Sequence, residues 1–476
     1  MPKDLPGFYF DAERNRYYPL SSRPASTPAS SSQNSSRQSK RSNYETNTEV
    51  NSESTVSPFA AGNPDSLSLK ALKQRVLSLP DSLATHRRSI ANHTVLCARI
   101  SSASRFDFSP TATFGEITEF CSATSDDGTT RRYIGDDRGW LYACASYTDP
   151  NDCDQLNQLN ALPSAQMYMW PPEINLHSSS QISSINISGQ KCTATCFGPV
   201  TKVAVYDLSV SGRMTLITLG AVHDVRASHL QGNALLLGAK SRAVYIPDID
   251  ISGSVQYLGN RQNSDIFTVE RDENLVYTGA RSGSITRHDL RVPPDKLSGD
   301  WLFRSRLTAG KKGSRSGPAT SSVLYLKLVK DSQLLVSQMD GNICTYDTRF
   351  PVESTPTRVF RGHRNSVTQK LGICVDLTQD FLFAAGEDRR IRGWSLRTGS
   401  VLPLNIGTDP AAATPFTNKS ITPVASFSDL ERSHKPIFTS AVRTMQVTEE
   451  VDGSMCLWAG SQQTLYRYFL GQSSFH

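Results

Sequence analysis

With 476 residues the chain can bury a large core, as two or three ordinary domains or as one large repeat architecture. Fifty Lys and Arg against 44 Asp and Glu leave a formal charge of +6, too mild at this length to argue for general nucleic-acid binding. Nine scattered cysteines show neither CxxC nor Cys/His zinc spacing, which excludes a disulfide framework or zinc ribbon and reads as reduced thiols of a cytosolic or nuclear protein. The N-terminus has no apolar h-region, and no run approaches the ~18 apolar residues of a membrane span, so a soluble chain is expected.

The opening stretch, MPKDLPGFYFDAERNRYYPL, holds five aromatic residues, Phe8, Tyr9, Phe10, Tyr17 and Tyr18. FYF and RYY flank the polar DAERN, a spacing suited to a hairpin that pairs aromatic strands around a turn. A lone hairpin is marginal in water, so residues 1–20 are expected to dock on the rest of the chain or on a partner. Thirteen serines, several prolines and almost no aliphatic side chains fill residues 21–60. Such a composition cannot offset chain entropy, and residues 21–62 read as a disordered tether that gives the N-terminal segment reach. Within it, RQSKR (37–41) is solvated linker charge or a weak nuclear import signal. Leu69, Leu72, Val76 and Leu77 recur at helical spacing after candidate caps at Asp65 and Ser66. One or two short helices are predicted over 63–93, the second starting at Pro80.

From residue 94, short runs rich in Val, Ile, Leu, Tyr and Thr alternate with Gly, Asp, Asn and Ser turns, without a helical period between them. LFAAGEDRRIRGWSLRTGS, preceded by FRGHRNSVTQKLGICVDLTQDF, sets Gly362 and His363, a strand, a turn, a strand of small residues, Asp388 and Trp394 in an order that resembles a WD repeat. LLVSQMDGNICTYDTR and VYTGARSGSITRHDLR match the same template. YIGDDRGWLYACA, CTATCFGPVTKVAVYDL, ALLLGAKSRAVYIPDI and CLWAGSQQTLYRYFL are weaker copies. The units close at Cys144, Tyr206, Pro247, His288, Tyr346, Trp394 and Tyr468, with spacings of 62, 41, 41, 58, 48 and 74 residues. The shortest spacings are one blade each and the longer ones carry insertions, among them the basic loop RSRLTAGKKGSRSG (304–317). The predicted fold is all-β, a seven-bladed WD-repeat β-propeller over 94–471. Its last unit stops at a third strand near Leu470, so TVLCARI (94–100) is the predicted donor of the missing fourth strand. The WD resemblance implies that His363, Asp388 and Trp394 form a buried hydrogen-bonded relay that fixes one blade.

Catalytic signatures are missing: there is no HExxH, GxxxxGKS/T or GxSxG, and GSRSG (313–317) carries Arg315 where a nucleophile would sit. A chain that is not an enzyme, with neither metal nor cofactor, is expected. HDLR (His288 to Arg291), YDTR (Tyr346 to Arg349) and WSLR (Trp394 to Arg397) each set an arginine three residues beyond a closing position. At that spacing the side chain leaves its strand at one rim, which aligns Arg291, Arg349 and Arg397 on one face of neighbouring blades. A guanidinium there offers planar donors to a partner, with pairing to Asp289 or Asp347 as the competing use.

This pattern resembles the WDxR motif of the WD-repeat substrate receptors of the cullin-4 RING ubiquitin ligase. LPGFYFDAERNRYYPL is similar to the N-terminal signature of one group of them, the fourth cullin-4-associated factors. GARSGSITRHDLR, QMDGNICTYDTRF, FRGHRNSV, AAGEDRRIRGWSL and WAGSQQTLYRYFLG are similar to that group's later blades, in the same order. The likeness covers 4–20 and about 275–470 and is faint over 21–230. His288 and Tyr346 replace the motif's Trp and Ser395 its Asp, which makes Arg397 the weakest match. The resemblance implies a non-catalytic substrate-recognition subunit, monomeric within its complex, in the nucleus or cytoplasm. Arg291, Arg349, Arg397, Asp289 and Asp347 would bind the damaged-DNA-binding adaptor and through it the cullin, while the opposite rim and channel mouth hold a protein substrate. Helices at 65–92 would brace the propeller or enter the adaptor's cleft. A WD-repeat scaffold for chromatin or ribonucleoprotein assembly is the alternative; neither a membrane nor nucleic acid is an expected partner.

Overall fold

In the computed structural model the described residues are 8–11, 16–19, 81–102, 106–124, 129–145, 169–210, 212–251, 255–259, 263–292, 299–303, 321–350, 355–404, 438–450 and 452–472. The chain divides into two units, Met1–Ser68 and Leu69–His476. In the first, Phe8–Asp11 and Arg16–Pro19 pair as an antiparallel hairpin, with Tyr9 opposite Tyr18 and Phe10 opposite Tyr17. The tether, its RQSKR, the helical pattern before residue 81 and the loop 304–317 lie outside the described residues.

The described strands of the second unit form seven four-stranded antiparallel sheets. Blade 1 comprises Ile117–Thr124, Thr130–Asp136, Trp140–Ala145 and Pro172–Asn175; blade 2, Ile182–Ser188, Lys191–Cys196, Thr201–Asp207 and Met214–Leu219. Blade 3 comprises Ala227–Gln231, Ala234–Gly238, Ala243–Ile246 and Gln256–Leu258; blade 4, Ile266–Asp272, Leu275–Ala280, Ile285–Asp289 and Asp300–Phe303. Blade 5 comprises Val323–Val329, Gln333–Gln338, Ile343–Asp347 and Arg358–Phe360; blade 6, Ile373–Val375, Phe381–Ala385, Ile391–Ser395 and Val401–Leu402. Blade 7 takes Thr444–Glu449, Ser454–Ser461 and Thr464–Gln472 from the end of the chain and Phe106–Pro110 from before blade 1.

The core is spread over seven seams between neighbouring blades, which explains why the second strands read as unbroken apolar runs. Both faces of a blade are covered, so alternation of side chains serves two cores. In ALLLG, Leu235 and Leu237 join Val203 and Val205 of blade 2, whereas Leu236 joins Ile266 and Val276 of blade 4. In FLFAA, Phe381 and Phe383 face blade 7 and Leu382 faces blade 5. The seam of Phe120, Ile134, Cys456 and Trp458 returns blade 7 to blade 1 and closes the ring. Turns between second and third strands are tight; Gly341 sits at φ +84°, where a Cβ would meet the Asn365 amide nitrogen and the His363 carbonyl at 3.1–3.2 Å.

The closing strand is a correction to the sequence reading. Residues 94–100 lie in a helix, α1 (Asp81–Ser102), and the strand completing blade 7 is Phe106–Pro110, with Phe106 opposite Tyr468 and Phe108 opposite Tyr466. His93, Leu96, Cys97 and Ile100 fall at i, i+3, i+4 and i+7, one helical stripe. His93 and Ile100 are buried, and Leu96, Cys97 and Ile100 pack into the seam between blades 6 and 7. The run TVLCARI looks β-like because Val95, Leu96 and Ile100 are apolar, but its period is helical. The helix expected to start at Pro80 and to end by 93 begins at Asp81 and runs on to Ser102. No helix among the described residues is long and apolar enough to cross a membrane.

Candidate docking rim and channel mouth

Third strands leave the blades beside the turn that joins the first two strands. The N–H groups of Leu208, Ile249, Leu290, Thr348 and Leu396 donate to the carbonyls of Gln190, Asn233, Asn274, Ser332 and Asp380, at 2.8–2.9 Å in all five blades. In blades 2–5 the Asp just before that residue then caps a turn, accepting the N–H two residues on: Asp207 from Ser209, Asp248 from Asp250, Asp289 from Arg291 and Asp347 from Arg349, at 2.9–3.1 Å. This shared local chemistry puts Arg291 and Arg349 at equivalent points of adjacent blades on one rim.

Both arginines also fold back on their own carboxylate. Arg291 Nε and Nη2 donate to Asp289 Oδ1 and Oδ2 at 2.9 and 2.6 Å, and Arg349 repeats the fork on Asp347 at 3.0 and 2.7 Å. The hydrogen bonds from the arginines hold both carboxyls at a pKa of about 2. The fork aims the guanidinium without covering it: the arginine side chains stay 70% and 66% exposed, and Nη1 of each has no partner among the described residues. An exposed apolar residue, Val292 or Phe350, follows each of them.

Arg397 departs from the expected row of three. Ser395 cannot supply a fork, so Arg397 Nη2 turns to Asp380 at 3.5 Å and Nη1 donates to Ser89 Oγ of α1 at 2.7 Å. Beside it His93 Nε2 meets Ser395 Oγ at 2.7 Å. α1 therefore braces the rim at blade 6, and Arg397 is only 34% exposed. Phe8, Tyr9, Phe10, Tyr17 and Tyr18 lie on the two facing strands of the N-terminal hairpin.

The relay expected of His363, Asp388 and Trp394 is also corrected. Trp394 is fully buried and donates Nε1–H to the Arg361 carbonyl at 3.0 Å; His363 lies against the carbonyls of Ala385 and Gly341 at 2.9 and 3.3 Å. Asp388 instead takes a bidentate pair from Arg392 at 2.9 and 2.6 Å. A guanidinium four residues away, fork to carboxylate, outcompetes a neutral imidazole for Asp388. A relay of comparable kind forms in blade 1, where buried Asp136 accepts Tyr142 Oη and the Gly115 N–H through Oδ2 at 2.8 and 3.0 Å.

At the opposite rim the first strands surround a cavity of about 510 Å³, lined by His363 and by further polar residues that the repeat template did not single out. Lys370 Nζ ion-pairs with Glu119 and donates to the Ser183 carbonyl at 2.6 Å. Glu270 pairs with His229 and Lys327 at 3.3 and 2.9 Å. Burial alone would raise its carboxyl, but the His229 hydrogen bond and the Lys327 charge hold it below the usual range. Arg443 pairs with Glu116 at 2.9 Å. The signal in the sequence was slight: polar residues at alternate positions of first strands, as in IFTVERD.

The eight described cysteines are free; burial pushes Cys121 up to about 12 and Cys344 to about 11, as inert packing thiols require.

By its sheets the chain is a seven-bladed β-propeller. No model of a known protein family matches it. An uncharacterized WD repeat-containing protein of Caenorhabditis elegans is 29% identical over 158 residues, which is 33% of this chain and 25% of that relative's length. Among solved structures, the WD40 β-propeller domain of Doa1 aligns at a TM-score of 0.48 and 14% identity, covering 77% of this chain and 96% of that domain.

Proposed function

We propose that this propeller is the substrate-recognition subunit of a cullin-4 RING ubiquitin ligase and performs no chemistry itself. The observation that carries it is the matched pair Arg291 and Arg349, set by the same Asp-capped turn on adjacent blades, exposed and flanked by Val292 and Phe350. Two planar cations with apolar neighbours suit a surface rich in carboxylates and carbonyls, here that of the damaged-DNA-binding adaptor. The helix α1 borders the same rim and extends the docking face with exposed Ile90. The aromatic hairpin at 8–19 is a second docking element. The opposite rim presents a protein substrate, and ubiquitin transfer follows from proximity within the assembly, in the nucleus or cytoplasm.

The test is affinity purification of the tagged full chain beside the Arg291→Ala/Arg349→Ala pair, with the adaptor quantified. Wild type recovers adaptor and cullin, and the double variant, unchanged in its unfolding temperature, loses both. Recovery of no adaptor by wild type sinks the receptor role and leaves a scaffold for another complex.

A further inference from the structure

Among the described residues that line the channel, Lys327, Lys370 and Arg443 each have a carboxylate partner. Arg226 has none. It precedes the first strand of blade 3 at the mouth, and its guanidinium carbon lies 4.8 Å from the Phe197 ring of blade 2 and 4.6 Å from the Phe267 ring of blade 4. Aromatic faces hold the plane of the cation without neutralising it. Among the described residues Nε is buried without a hydrogen-bond partner, and the guanidinium's polar bond runs from Nη1 to the amide oxygen of Gln369 at 3.0 Å. Gln369 belongs to the segment entering blade 6, so this bond reaches across the ring, as Lys370 next to it reaches Ser183 and Glu119. A neutral amide oxygen thus stands where a carboxylate oxygen would make the stronger bond.

The geometry points to an anchor for a peptide carboxylate at this mouth: Arg226, oriented by Phe197 and Phe267, receives an acidic side chain or a chain terminus of the partner in place of the Gln369 amide. Asp265 and Asp224 act on this cation only from a distance, without an ion pair, so it retains room for a single carboxylate. A phosphate dianion or a nucleic-acid backbone would meet too few positive groups, with Glu119 and Glu270 further along the same lining. The inference rests on the proposed use of this face to hold a protein, but not on which assembly the other rim serves.

The test uses the full chain alone, without adaptor, so that it succeeds or fails separately from adaptor capture. Two randomised dodecapeptide libraries, one with free C-termini and one amidated, are selected on it, with a third arm carrying phosphoserine. Peptides enriched by wild type carry a required carboxylate, internal if both libraries yield it and terminal if only the free one does. Arg226→Ala weakens them by roughly tenfold or more, and Glu→Gln or amidation of the peptide costs wild type the same factor but costs Arg226→Ala nothing further. Gln369→Glu, which supplies an internal carboxylate, blocks binding, while Gln369→Ala preserves it. A role of Arg226 in folding alone would not produce that contrast. Enrichment of no peptide, of peptides indifferent to acidity or of phosphopeptides over carboxylates overturns the proposal.

Discussion

Arg291 and Arg349 owe their geometry to four residues of local sequence: a strand end, an Asp that caps the turn, one residue tied to the neighbouring turn, and the arginine itself. Their ion pairs stand in solvent, where such pairs add little to stability. Arg291→Ala or Arg349→Ala is therefore expected to leave the unfolding temperature within about 1 °C of wild type by calorimetry, whatever it does to partner capture. Buried groups behave differently. His288 closes blade 4 at 2% exposure, and burial, opposed by the Asp300 carboxylate, pushes its imidazole from 6.5 down to about 4. The unfolded chain takes up this proton as pH falls through 6.5, whereas the folded chain resists until about 4. Stability from this site is thus complete above 6.5 and lost on acidification towards 4, a difference of about 3 kcal/mol across the window. His288 Nδ1 has no hydrogen-bond partner among the described residues, so His288→Phe gives up no bond to them there. Denaturant titrations at pH 7 and pH 4.5 should show a smaller loss for His288→Phe than for wild type; equal losses would refute the account.

Elements depend on what covers them. Trp394 fills the seam between blades 5 and 6, and Trp394→Ala should cost about 3–5 kcal/mol in urea unfolding. Asp388 pairs with Arg392 instead of His363, so a double-mutant cycle between His363 and Asp388 should give a coupling below ~0.5 kcal/mol. A coupling above 1 kcal/mol would reinstate the relay. The helix α1 is amphipathic towards the seam of blades 6 and 7, and Ile100→Ala should cost about 2–4 kcal/mol, whereas Ile90→Ala, at an exposed position, should cost almost nothing. Leu96, Cys97 and Ile100 read as strand because β-branched and apolar content outweighs period in so short a run. The pairing FYF to RYY was legible because a short polar insert between an aromatic triplet and an aromatic pair leaves few alternatives to a hairpin.

At the scale of the molecule, blade 7 joins the two ends of the propeller, and Phe106–Pro110 gives it the fourth strand that the other six blades have. A chain starting at residue 105 should retain a cooperative unfolding transition, lowered by the loss of α1. One starting at residue 112 leaves Thr464–Gln472 as an exposed edge and should aggregate or lose that transition in calorimetry. Because the seven seams are chained through neighbours, weakening any one opens the ring rather than trimming an end, unlike a linear repeat array.

Blade number, all-β class and the two forked arginines were determined by the sequence alone, because strand period, turn chemistry and the Asp-x-Arg spacing act over a few residues. ALLLG and FLFAA announce burial on both faces, yet which seam each side chain enters depends on neighbours some 30 to 60 residues away. The tertiary structure alone decided which strand closes the ring, that Arg397 is held by Ser89 and Asp380, and that Arg226 donates to the Gln369 amide. These are contacts between residues distant in sequence, set by the curvature of the ring, and no local pattern encodes them.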